Sequence, residues 1–137
     1  MKKVLVGGIF SVLHPGHMFF LKKAKSLGDF LIVVVSSDRT ALKKNGVLLR
    51  TARERKLRVE KTGIADRVII GDDEDRFRVV EKEKPDIIAL GYDQRIDGGF
   101  RKRIKESGLN CKMVRIKEKF KDYSSSKFLR DKKRKRA

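Results

Sequence analysis

The sequence predicts a doubly wound α/β fold built on a parallel sheet of five strands. Three observations carry that expectation. Short, continuously apolar, β-branched runs recur along the 137 residues. A segment with helical spacing follows most of them, and Gly or Pro punctuates the ends. Runs that are apolar at every position suit strands covered on both faces, which is the condition of a parallel sheet.

The elements follow in order. "KVLV" (3–6) is a buried strand that ends in Gly7-Gly8. From His17 to Gly28, the residues Phe20, Leu21, Ala24 and Leu27 recur at helical spacing, and Gly28 stops the helix. "FLIVVV" (30–35) is the strongest strand signal in the chain. A basic helix over 50–63 closes at Gly63, and "RVII" (67–70) is a short strand. The stretch 73–84 is helical and Pro85 ends it. "DIIAL" (86–90) is a strand running into Gly91, 100–108 a helix, and "CKMVRI" (111–116) a strand. Three serines open a last helix over 124–134. The whole reads as one Rossmann-like domain over residues 1–130, with a basic tail at 131–137.

Composition narrows the class. Apolar residues make up 39% and charged residues another 39%, which is enough for a core and too apolar for disorder. No apolar run approaches the ~18 residues of a membrane span. One cysteine, Cys111, cannot form an intrachain disulfide, so a reducing cytoplasm is the expected compartment. The net charge of +18 attracts polyanions of any kind. Its bases are not interleaved with aromatics and match no nucleic-acid motif, so nucleic acid is the weaker reading of that charge.

In doubly wound sheets ligands sit beyond the carboxyl ends of the strands. That rule singles out 7–17, 36–46, 91–99 and 117–126. The first, "GGIFSVLHPGH", holds both histidines of the chain, His14 and His17. Gly7 and Gly8 let backbone approach a ligand, and the following helix start offers free N–H groups to phosphate oxygens. Two imidazoles there can donate to charge that develops during phosphoryl transfer. A zinc pair is the poorer reading, because no third ligand accompanies them.

These residues also carry a resemblance. Gly8-Ile9-Phe10-x-x-x-His14-Pro15-Gly16-His17 resembles the signature G-[TI]-F-D-x-x-H-x-G-H of nucleotidyltransferases related to glycerol-3-phosphate cytidylyltransferase. The likeness extends through 21–38, "LGYDQ" (90–94) and "YSSSKFL" (123–129). It implies transfer of a nucleoside monophosphate from a nucleoside triphosphate to a phosphate-bearing acceptor, with release of pyrophosphate. It assigns His14 and His17 to the α- and β-phosphates, and Lys44, Arg55 and Lys43 to the triphosphate. Gly8, Ile9 and Phe10 line the loop, and Gly91, Asp93 and Gln94 run along the nucleoside. Ser124, Ser125 and Ser126 meet the β- and γ-phosphates. Mg²⁺ is implied, held by phosphates and water with no protein ligand set. A homodimer is implied as well.

Read from the residues alone, Lys43 and Lys44 also suit solvated surface charge, the serines a helix cap, and Asp93 a turn. Arg55 is one of three arginines on its helix, with Arg53 and Arg58, and spacing does not choose among them. Two positions depart from the pattern: Ser11 stands where the signature has Asp, and Lys119 where the final motif has Arg. The H-P-G-H form, "PDIIALGYDQ" and the short length look most like archaeal-type FAD synthetases, which use ATP and FMN. Glycerol-3-phosphate cytidylyltransferase, which uses CTP and glycerol 3-phosphate, is the next reading. A non-catalytic nucleotide- or nucleic-acid-binding protein is the alternative of another class.

Overall fold

In the computed structural model, residues 1–73, 75, 77–96 and 98–118 are described. Five strands alternate with five helices: β1 (Lys3–Gly8), α1 (Pro15–Ser26), β2 (Phe30–Val35), α2 (Asp38–Asn45), α3 (Ala52–Lys61), β3 (Arg67–Ile70), α4 (Phe77–Glu83), β4 (Ile87–Leu90), α5 (Gly98–Glu106) and β5 (Lys112–Arg115). All pairings are parallel, in the order β3-β2-β1-β4-β5. The expected doubly wound sheet is therefore present. β1 runs along β2 from Lys3↔Phe30 to Gly8↔Val35, and pairs on its other side with β4 at Val4↔Ile87 and Leu5↔Ile88.

Strand side chains alternate between the two faces. Val4, Val6, Leu31, Val33 and Val35 pack with Leu21 of α1 and Val59 of α3. Leu5, Ile32, Ile88 and Leu90 face the other way, against Phe77 and Val80 of α4 and Ile104 of α5. Both faces are buried, which is why these strands read as unbroken apolar runs. The chain turns outward through β2 and β3, then returns to place β4 beside β1. The strand order thus reverses between β1 and β4, and their carboxyl ends face the crevice where such folds bind ligands.

Helix boundaries differ from the sequence expectation in ways that have local causes. α1 begins at Pro15, with His14 as its N-cap, because proline's fixed φ suits the first helical turn. α3 is trimmed to Ala52–Lys61 by a capping box between Thr51 and Glu54. α2 was not anticipated. Only Ala41 of its eight residues is buried, so no apolar period marks it; Ser37 starts it by accepting from the Thr40 N–H, and Gly46 ends it at φ +75°. The expected last helix (124–134), with Lys119, Ser124, Ser125, Ser126 and the basic tail, lies outside the described residues.

Candidate active site

The crossing from β1 to α1 is tightly built. Phe10 holds a positive φ of 54°, yet it is only 4% exposed. A left-handed aromatic costs about 1–3 kcal/mol, so its surroundings must over-determine it. One constraint is Gly8, where a Cβ would come within 2.8 Å of the Phe10 ring. Another is His17, whose ring meets Phe10 edge to face at 5.4 Å between centroids.

His14 and His17 are brought together as the spacing requires. Their rings stack at 3.9 Å with 19° between planes. The backbone N–H of His17 donates to Nδ1 of His14 at 3.3 Å. A neutral imidazole that accepts through Nδ1 carries its proton on Nε2, so His14 presents an N–H donor on its far edge. Burial lowers the pKa of His14. His17 is pushed down to about 4, first by burial and then by His14, while a hydrogen bond to the Val12 carbonyl acts the other way. Both rings are neutral at pH 7; His14 presents its Nε2–H to developing negative charge, while the one N–H of neutral His17 is directed at the Val12 carbonyl.

Lys44 and Lys43 share the last turn of α2, and both are exposed. Lys44 lines a cavity of about 150 Å³ at the carboxyl ends of the strands, together with Gly7, Gly8 and Ile9; Lys43 does not. Its polar lining includes Ser36, Thr40, Asp72 and Gln94, and its apolar lining Val79 of α4, Ile96 and Phe100 of α5. His14 and His17 are not among its lining residues.

Of the three arginines on α3, the structure turns Arg55 inward; Arg53 and Arg58 are exposed. Arg55 is fully buried. Its Nη1 donates to the carbonyls of Ile9 and Ser36, both at 2.8 Å, and its Nε to that of Arg50 at 3.1 Å. Its Nη2 meets Asp38 at 3.2 Å, and Asp38 also accepts from the Ala52 N–H. This guanidinium ties the exits of β1 and β2 to the start of α3; it does not line the cavity.

At the β4 exit Asp93 is exposed and Gly91 is half-buried. Gln94 does more than its neighbours: its Nε2 donates to the Gly7 carbonyl and its Oε1 accepts from the Gly91 N–H, both at 3.2 Å. It thereby pins β1 to β4 at the point where strand order reverses. Arg115, which sequence reasoning passed over, braces the same turn by donating to the carbonyls of Gly91 and Gln94 at 2.7 Å. The signal for it was positional: Arg115 ends β5 in register with Leu90, the last residue of β4.

Among the described residues, no group of three His, Cys, Asp or Glu side chains could hold a metal ion. No helix among the described residues is long and apolar enough to cross a membrane.

A doubly wound sheet with a glycine loop, neutral paired imidazoles at a helix start and a flanking lysine belongs to the class of nucleotide-handling α/β proteins. Residues 5–132 match the model of the cytidylyltransferase-like family, and the chain belongs to that family. It is a nucleotidyltransferase. The chain is 42% identical over 120 residues to the FAD synthase of Ferroglobus placidus, covering 87% of this chain and 78% of that protein. It is 38% identical over 129 residues to the FAD synthase of Picrophilus torridus, covering 93% of each. The crystal structure of a lipopolysaccharide core biosynthesis protein from Thermoplasma volcanium superposes with a TM-score of 0.80 at 39% identity, over 88% of this chain and 98% of that one.

Proposed function

We propose that this chain is an ATP:FMN adenylyltransferase that makes FAD and releases pyrophosphate. The observation that carries the acceptor choice is the cavity beside Gly8 and Lys44. Its lining combines polar groups with an apolar set, Val79, Ile96 and the aromatic Phe100 among them, against which a ring system can pack. Glycerol 3-phosphate has no ring system to set against those apolar residues. The likeness to FAD synthases over most of the chain supports the same choice. CTP with glycerol 3-phosphate remains the second reading on resemblance alone.

In this reading a phosphate oxygen of FMN attacks the α-phosphorus of ATP. A new P–O–P bond forms, the bond to the bridging oxygen of the β-phosphate breaks, and pyrophosphate leaves with the electron pair. Little covalent chemistry falls to the protein, which positions the groups and stabilises charge. His14 donates its Nε2–H to the phosphates flanking the breaking bond, and His17 joins it by turning its N–H from the Val12 carbonyl to the phosphate. Lys44, with Lys43 at longer range, offsets the triphosphate charge. Gly91, Asp93 and Gln94 lie along the nucleoside, and Ser124, Ser125 and Ser126 cap the terminal phosphates. Mg²⁺, bound through phosphates, supplies further charge neutralisation when present.

The single cysteine suits a cytoplasmic setting. The exposed Val47, Leu49 and Leu57 between and along α2 and α3 support a homodimer, which light scattering on the purified chain tests. The function itself is tested by thermal shift with ATP, CTP, FMN and glycerol 3-phosphate, since ligands that bind only the folded state raise its melting temperature. ATP and FMN are expected to shift the protein. A response to CTP and glycerol 3-phosphate with none to FMN overturns the assignment.

A further inference from the structure

Two arginines reach the phosphate loop, and their circumstances differ. The Arg55 guanidinium is fully buried and engaged with three carbonyls and Asp38. It has no free edge to offer a ligand. Arg50 stands just before the Thr51 cap of α3 and is half-buried. Its Nε donates to the Ser11 carbonyl at 3.2 Å, on the loop that leads into His14. Its own carbonyl receives Nε of Arg55. Asp38, Arg55, Arg50 and Ser11 thus form a continuous hydrogen-bonded chain across the strand ends.

Among the described residues, no hydrogen bond or ion pair engages the Nη groups of Arg50. Glu54 is near enough for its acidity to feel the Arg50 charge, but its Oε1 is already taken by the Thr51 N–H and hydroxyl, each at 3.1 Å. A guanidinium is a rigid fork, well suited to two oxygens of a phosphate. Here the fork is held by its stem, and its prongs are available. The residue at position 11 matters to this arrangement. Serine lends its carbonyl to Arg50 without adding charge, whereas an acid there would place a competing anion beside the same guanidinium.

We infer that Arg50 is the arginine that grips the triphosphate, and that Arg55 is its positioning residue. The inference rests on the reading that the site takes a nucleoside triphosphate. It moves the arginine contact from the residue the motif resemblance selects to one five positions earlier.

Calorimetric titration of the full chain with ATP, inorganic tripolyphosphate and adenosine tests it. Arg50→Gln is expected to weaken ATP and tripolyphosphate by about tenfold or more, the worth of one charge-assisted contact, and to leave adenosine binding unchanged. Arg50→Lys keeps the charge without the fork and falls between. Arg55→Lys is expected to weaken ATP in the wild-type background and to add nothing once Arg50 is Gln; a purely structural Arg55 would weaken it equally in both. Wild-type affinity for ATP in Arg50→Gln overturns this inference alone. A wild-type chain that binds neither ATP, CTP nor tripolyphosphate overturns the triphosphate reading and this inference with it. Should Arg55→Lys fail to fold, the Arg50→Gln titration still decides.

Discussion

Gly8→Ala isolates what the phosphate loop costs to build. A Cβ at Gly8 would lie 2.8 and 2.9 Å from two atoms of the Phe10 ring. Ordinary contact begins near 3.4 Å, so the ring must retreat by about half an ångström or more. It has little room, because Phe10 is buried, sits at φ 54°, and packs against His17. Overpacking of this kind costs about 1–3 kcal/mol. For a chain of this size that lowers the melting temperature by about 3–10 °C. The assay is thermal unfolding with a double-mutant cycle. Phe10→Leu removes the ring edge, so Gly8→Ala in that background is expected to cost less than about 0.5 kcal/mol. ATP affinity should fall in Gly8→Ala, since the displaced ring carries His17 with it. An unchanged melting temperature, or an equal cost in both backgrounds, refutes the claim that Phe10 is what demands glycine at position 8.

Other outcomes follow from the same geometry. His17 titrates near 6.5 unfolded and near 4 folded, so the unfolded chain binds the extra proton. Its contribution is complete above pH 6.5 and is lost as pH falls toward 4, by about 3 kcal/mol at most; His17→Gln should flatten that part of the stability profile measured by urea titration. Phe100→Ala is expected to raise KM for FMN about tenfold while leaving the affinity for ATP within a factor of two, read by steady-state kinetics and calorimetry. Gln94→Ala unties β1 from β4, costs about 1–2 kcal/mol of stability and raises KM for ATP. EDTA should abolish turnover and Mg²⁺ restore it, with no change in the melting temperature of the ligand-free protein, because no ligand cage exists among the described residues.

How much was legible in the sequence depended on whether burial left a period behind. β1 and β2 were plain because both faces of the sheet are covered, which forces apolar residues at every position. α2 was invisible because it rests on Ala41 alone. The pairing of His14 with His17 was legible from spacing at a helix start; the strand-end rule reached only the segment 36–46, and Lys44 within it came from the family resemblance. The role of Arg55 was not legible. Its partners are backbone carbonyls of Ile9, Ser36 and Arg50, and backbone acceptors leave no trace in residue identity. Gln94 and Arg115 escaped for the same reason, since they also work by holding main chain. The apolar lining of the cavity draws on α4, β4 and α5 at once, a convergence that only the strand order creates.

The most direct test of the central claim is FAD formation by the purified chain supplied with ATP, FMN and Mg²⁺, compared with its His17→Ala variant. The account predicts FAD and pyrophosphate in equal amounts from the wild type. In the variant it predicts a kcat lower by about a hundredfold or more, with ATP affinity changed only a few-fold, because the imidazole acts on charge that develops in the transition state. Turnover of CTP with glycerol 3-phosphate in place of ATP with FMN, or an undiminished rate in His17→Ala, would contradict it.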